Sequence, residues 1–281
     1  MVGKKADLHV RTTVTTGRVR PSEAVKLAKE MGLAAIAIVD HDTVEGVPEA
    51  IEAGKVYGVE VIPGVEITFE EEGVEAHIIG YFIDWRYPAL LSEISRSQVS
   101  RAWRIKGTIE KLQEMGVRIT YNDVVKIAGD AAIMGRTHIA EALVKSGAVK
   151  SVREAFDRYL APGKPAYVPK YQLPVGELIG LVARAGGVTA LAHPRFGGAE
   201  SILPELVKSG LIGLEVYHPY HEPADVRKFQ GLAKKHGLVE VGGTDSEAKR
   251  SPVGTITVPY KAVEQLKSEK TMPKKLKKLL K

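Results

Sequence analysis

The chain reads as an α/β protein built on parallel strands, with a helical block inserted into it. Three observations carry that reading. Short apolar runs alternate with helix-length segments from Ala6 to Gly80, and again from Val175 to Val241. Between them, from about Pro88 to Tyr159, helix follows helix with Gly116, Gly135 and Gly147 as punctuation and no strong strand. Finally, histidines and acids follow or close the apolar runs: His9, Asp40-His41-Asp42, Glu66, His77, His193 and Thr244-Asp245. A pattern interrupted and then resumed marks one α/β domain with an insertion. Polar groups at the C-terminal ends of parallel strands gather on one face, where α/β barrels build their sites.

Each element has a local reason. Ala6–His9 and Ala35–Asp40 are apolar runs of strand length. Pro21–Met31 is a helix with Pro at its start and Gly32 at its end, and Val47–Tyr57 is a helix closed by Gly58. Val59–Ile62 is a strand, and Ile67–Gly80 a hairpin turning at Glu70-Glu71-Glu72-Gly73. Asp40 and Asp42 can cap the helix after them, with Asp42-Thr43-Val44-Glu45 fitting a capping box. Beyond the helical block come a helix at Val175–Ala185 and a strand at Val188–Ala192. Ser201–Ser209, Leu211–Val216, Ala224–Lys235 and Val239–Val241 continue the alternation. The domain boundaries expected are a discontinuous barrel over 1–87 and 173–266, a helical substrate-capping insertion over 88–172, and a basic tail over 267–281.

Composition narrows the chemistry. The 281 residues include no Cys, which excludes disulfides, thiolate metal sites and a Cys nucleophile together. Any metal is held by N and O donors, which suits Mn, Fe, Zn or Mg. No apolar stretch reaches the ~18 residues of a membrane span, and the N-terminus lacks a signal pattern, so a cytoplasmic location is expected. The pI of 9.2 does not make this a nucleic-acid binder. Residues 267–281 hold seven Lys and one Glu, a charge of +6 that equals the charge of the whole chain, so residues 1–266 are net neutral. The tail is either a terminal helix with Met272, Leu276, Leu279 and Leu280 on one stripe, or a weak contact for RNA. Arg101 and Arg104 read foremost as a solvated helix face, with substrate phosphate as the alternative, and His236 as a surface residue. His218 and His221 either line the mouth of the site or belong to the loop around Pro219.

Taken in order, Asp7-Leu8-His9-Val10-Arg11-Thr12, Asp40-His41-Asp42-Thr43, Gly64-Val65-Glu66-Ile67-Thr68, His77-Ile78-Ile79-Gly80-Tyr81, Ala192-His193-Pro194 and Gly242-Gly243-Thr244-Asp245 resemble the PHP (polymerase and histidinol phosphatase) superfamily. The similarity is greatest to its TrpH-type metal-dependent phosphoesterases and covers about residues 6–260. It implies a distorted, TIM-like (β/α)7 barrel that hydrolyses a phosphate ester of a nucleotide or short oligonucleotide through metal-activated water. By position, His9, Glu66 and Asp245 hold one metal, Glu66 bridges to a second held by His77 and His193, and His41 belongs to a third site. Arg136 and His138 of the insertion bind the substrate phosphate.

The chain departs from that pattern three times. The family has His-x-His where His9-Val10-Arg11 stands, Ser-Asp-Gly where Thr15-Thr16-Gly17 stands, and Ser-Asp-x-His where Thr244-Asp245-Ser246-Glu247 stands. Arginine offers no lone pair to a metal. One or two metals rather than three are therefore expected, with Glu66 and Asp245 catalytic and Arg11 supplying positive charge. Arg11 is expected to pair with Glu247 in the space of the third metal, although Glu247 is alternatively a ligand. The second function class is a protein of the same fold that binds a phosphorylated ligand without turning it over.

Overall fold

The computed structural model describes residues 3–71, 73–129, 134–169, 171, 173–246 and 252–270. The chain forms two compact units, Met1–Ile94 with Leu173–Lys281, and Ser95–Gln172. The strands of the first unit are β1 (Lys5–Val10), β2 (Ala35–Ile38), β3 (Glu60–Glu71), β4 (Val74–Tyr81), β5 (Val188–Leu191), β6 (Gly213–Tyr217), β7 (Val239–Gly242) and β8 (Val258–Pro259). Helices α1 (Pro21–Glu30) and α2 (Gly46–Tyr57) follow β1 and β2. After β4 come α3 (Pro88–Glu114), α4 (Tyr121–Ala128), α5 (Arg136–Lys145) and α6 (Val152–Ala155). Then α7 (Val175–Arg184), α8 (Leu203–Lys208), α9 (Pro223–His236) and α10 (Lys261–Lys270) accompany the later strands.

One eight-stranded sheet runs in the order β7-β6-β5-β4-β3-β2-β1-β8. Strands β1, β2 and β3 pair in parallel, as do β5, β6 and β7, while β4 is antiparallel to both of its neighbours. Beyond β7, the Asp245 N–H donates to the His9 carbonyl at 2.8 Å, so the sheet curls into a nearly closed barrel. Gly243 permits this approach, because a Cβ there would lie 2.2 Å from the His9 nitrogen.

The period of two along each strand separates two cores. Ala6 and Leu8, Ala35 and Ala37, Ile79 and Tyr81, and Val188 and Ala190 fill the interior with Ala262, Val263 and Leu266 of α10. The alternate residues, among them Ile36, Ile38, Ile78, Leu191, Leu214 and Val216, pack outward with α1, α2, α7, α8 and α9, and Val10 joins them because the β1 register shifts between Asp7 and Val10. The helical unit has a third core in which Ile105, Ile109 and Leu112 of α3 meet Val124, Ile139 and Leu143. Their spacing of four and three is the apolar stripe of an amphipathic helix.

Four expectations are corrected. The strand at Val59–Ile62 and the first arm of the hairpin are one strand, β3. Pro63-Gly64 reads as a break, but Gly64 is there for close contact, since a Cβ would sit 2.7 Å from the Gly80 oxygen. Asp42 does not cap α2, which begins at Gly46 after a Glu45 that makes no side-chain cap. Asp40 is also no cap; it accepts from the Thr12 N–H and hydroxyl at 2.8 Å each and from Thr15 Oγ1 at 2.6 Å. Arg104 is buried rather than solvated, because it shares its helix face with Thr108. In addition, α10 runs through Lys267, whose Nζ lies 2.6 Å from Glu60 Oε1, so part of the basic segment is docked on the barrel. Residues 271–281 lie outside the described residues.

Candidate metal centre

The site begins with strand ends. His9 is the penultimate residue of β1, and Asp7 two residues earlier ties this strand to the segments that follow β7 and precede β8. The Asp7 carboxylate accepts from the His9 N–H at 3.2 Å, the Thr244 N–H at 3.0 Å and the Gly254 N–H at 2.9 Å, and from the Thr244 hydroxyl. Burial pushes the Asp7 carboxyl up to about 6 against these bonds. Three of the four non-glycine residues with positive φ among the described residues are also here: Asp42 (52°), His193 (24°) and Asp245 (40°). Strained backbone of this kind concentrates at functional sites.

Glu66, in mid-strand on β3, is wholly buried and uses its two oxygens differently. Oε1 accepts from His77 Nδ1 at 2.8 Å and from His193 Nε2 at 3.1 Å. Oε2 faces Arg11 Nη2 at 2.5 Å and His9 Nε2 at 3.6 Å. Arg11 Nε lies 3.0 Å from Asp245 Oδ1, itself 3.5 Å from His9 Nε2, and Asp245 Oδ2 is 3.2 Å from His218 Nε2. Burial alone would raise the Glu66 carboxyl, but Arg11, His77 and His9 outweigh it and hold it well below the ordinary range. Asp245 is held low in the same way, by His9 and Arg11 against burial. Burial drives His77 down to about 4, which keeps it neutral as a ligand must be.

These residues fit a divalent cation. Ligand atoms of Glu66, His77 and His193 all lie within 4.8 Å of one another, and the same holds for His9, Glu215 and His218. The buried atoms His9 Nε2, Glu66 Oε2 and Asp245 Oδ1 have no hydrogen bond of ordinary geometry, and the charge on the two carboxylate oxygens is met by the Arg11 guanidinium lying against both.

The expected residues thus meet, with exceptions. His41 is already engaged, with Nε2 at 2.8 Å from Thr68 Oγ1 and Nδ1 at 3.2 Å from Asp42 Oδ2. Thr16, at the position of a lost ligand, accepts from Arg11 Nη1 at 3.4 Å. Glu247 lies outside the described residues, so its pairing with Arg11 does too. In the helical unit, Arg136 and His138 stand on the first turn of α5. The Arg136 guanidinium lies over the Tyr167 ring, and His138 Nδ1 accepts from the Gly135 N–H at 3.0 Å.

One residue escaped the sequence reading. Glu215, wholly buried, accepts from His9 Nδ1 at 2.9 Å through Oε1 and from the His193 N–H at 2.7 Å through Oε2. One carboxylate therefore orients ligands on both sides of Glu66. Burial opposes its charge, but His9, His218 and His193 draw the Glu215 carboxyl down to about 2. Against burial, Glu215, Asp245 and Glu66 in turn lift His9 well above its usual value. His218, which the sequence left open, lies in the cluster, with Nε2 3.2 Å from Asp245 Oδ2. The available signal was an acid inside the apolar run Leu214-Glu215-Val216: with both neighbours in the outer core, Glu215 must point inward.

A nearly closed α/β barrel with carboxylates and imidazoles at its strand ends defines the class as a metal-dependent hydrolase. Comparison with known proteins makes this specific. Residues 7–165 match the PHP domain. The chain is 31% identical to a 3′,5′-nucleoside bisphosphate phosphatase of Chromobacterium violaceum, over 86% of this chain and 87% of that one. It is also 31% identical to the 5′-3′ exoribonuclease Rnm of Escherichia coli, over 85% of this chain and 84% of that one. A solved structure from Bifidobacterium adolescentis, provisionally described as a metal-dependent phosphoesterase, superposes with a TM-score of 0.73 at 30% identity, covering 93% of this chain and 94% of that one. The chain belongs to the PHP domain family. Among the described residues, no helix is long and apolar enough to cross a membrane.

Proposed function

We propose that this chain is a metal-dependent phosphoric ester hydrolase acting on a nucleotide or short oligonucleotide. One observation carries the reading: the buried Glu66 shows one oxygen to His77 and His193 and the other to Arg11 and His9. The related phosphatase and exoribonuclease both cleave phosphate esters, which supports the substrate class. A divalent ion, when bound, supplies Lewis acidity to a phosphate oxygen and eases deprotonation of water.

The protein's own groups do the rest. Glu66, His77 and His193 hold one ion of Mn, Fe, Zn or Mg, and a second, weaker position at His9 and Asp245 competes with Arg11. Arg11 neutralises Glu66 and Asp245 with a fixed guanidinium, which suits an oxyanion neighbourhood because it never deprotonates. Glu215 sets the tautomer and tilt of His9. His41, held by Thr68 and Asp42, is the remaining imidazole of a reduced third position, and Arg136 and His138 are phosphate ligands of the helical insertion. The Lys-rich segment from 267 onward adds weak, sequence-independent attraction for RNA, and the protein works in the cytoplasm.

The test joins elemental analysis of protein purified without chelator to phosphate release from a nucleotide panel with added Mn. One to two metals per chain, with turnover that Glu66→Ala abolishes, is the expected result. Arg11→His should raise the metal content by removing the guanidinium and adding a donor. No metal and no turnover would overturn the proposal and favour the second reading, a phosphate-binding protein, whose supporting observation is that Arg11 already sits on two of the carboxylates.

A further inference from the structure

Outward from the ligand cluster runs an arc of rings whose outer members, Phe196 and Tyr220, phosphate chemistry leaves unused. His193 lies 5.5 Å from His218 and 5.4 Å from Phe196, and Phe196 lies 5.9 Å from Tyr220, itself 5.5 Å from His218. The inner pair is buried, whereas Phe196 is 46% and Tyr220 54% exposed. A single exposed aromatic means little. Here two are fixed edge to face beside a ligand of the metal centre.

The two loops that carry them are tied together. Arg195 donates to the Tyr220 carbonyl and pairs with Glu222 and Asp225 at 3.2 Å each. Behind Phe196, Gly197 turns with φ 64°, and a Cβ there would meet the Glu75 carbonyl at 2.8 Å, so that loop is also seated against β4. The rings are therefore held in place before any ligand arrives, which lowers the entropy lost on binding.

We propose that Phe196 and Tyr220 form a stacking platform for the nucleobase of the substrate. The inference rests on the phosphoesterase reading, which places a phosphate at Glu66, His77 and His193, and the His193 ring lies 5.4 Å from that of Phe196. The aromatic faces recognise any base through its π-surface, so the platform favours nucleotides over base-free phosphates without choosing strongly among bases.

The test compares two ligands that differ only in the base, adenosine 5′-monophosphate and ribose 5-phosphate, by calorimetric titration of the Mn-loaded protein. Wild type should bind the nucleotide roughly 5- to 150-fold more tightly, the range expected for one stacked base. The double variant Phe196→Ala/Tyr220→Ala should lose that margin while its affinity for ribose 5-phosphate stays the same. Phe196→Trp should keep it. Equal binding of the two ligands by wild type, or a margin that survives in the double variant, overturns the platform and leaves the phosphoesterase intact. If wild type binds neither ligand and releases no phosphate from the panel, both proposals fall together.

Discussion

The two sides of Glu66 offer a cation opposite receptions. On one side, a carboxylate oxygen meets two imidazoles, and His77 is held neutral by burial. On the other, its second oxygen meets a guanidinium, and His9 is drawn towards its charged form by Glu215, Asp245 and Glu66 against burial. The first side is arranged to receive a cation, and the second already contains one. A single substitution in the family pattern, Arg11, creates the asymmetry. Buried charge has to be matched, and a side chain can do this as well as an ion can.

The largest effect should come from removing that side chain. Arg11→Ala leaves Glu66 and Asp245 facing each other, and breaking a buried ion pair from one side costs about 3–5 kcal/mol. Urea unfolding of metal-free protein should show this loss, and added Mn should recover most of it by occupying the vacated space. A loss that Mn does not recover would mean that the second side cannot take a metal at all.

Glu215 tests what joins the sides. The metal-free protein should lose stability in acid through this residue, and the sign follows from its folded pKa of about 2 against an ordinary 4.5. The folded state binds its proton less readily, so the stabilisation is complete above pH 4.5 and disappears as pH falls towards 2. The difference in unfolding free energy between wild type and Glu215→Gln should shrink by about 3 kcal/mol across that window. The same variant should weaken metal binding by about 10- to 100-fold, read as a dissociation constant, because orienting partners of ligand histidines matter to that degree. An unchanged constant would make Glu215 a purely structural brace.

The smallest effect marks the contrast with the surface. Lys267 and Glu60 form a close ion pair 2.6 Å apart, yet both are partly exposed. Lys267→Ala should cost less than about 1 kcal/mol in thermal or urea unfolding, as exposed pairs do.

The sequence by itself determined the alternation of strands and helices, the helical interruption, and five residues that meet at the centre: His9, Glu66, His77, His193 and Asp245. Their positions were legible because each stands at a strand end or in a motif that a one-dimensional pattern can show. It also showed that Arg11 and Thr16 stand where ligands are expected, which set the question of metal number. Only the tertiary structure decided how Arg11 resolves that question, by lying between Glu66 and Asp245. It alone brought in Glu215, 206 residues from the histidine it holds, and set His218 against Asp245. It also turned Asp40 and Asp42 from helix caps into loop and histidine partners. The physical reason is barrel closure. Local pattern encodes which face of a strand is buried, but partners inside a barrel come from strands far apart in the chain, and their pairing appears only when β7 returns to β1.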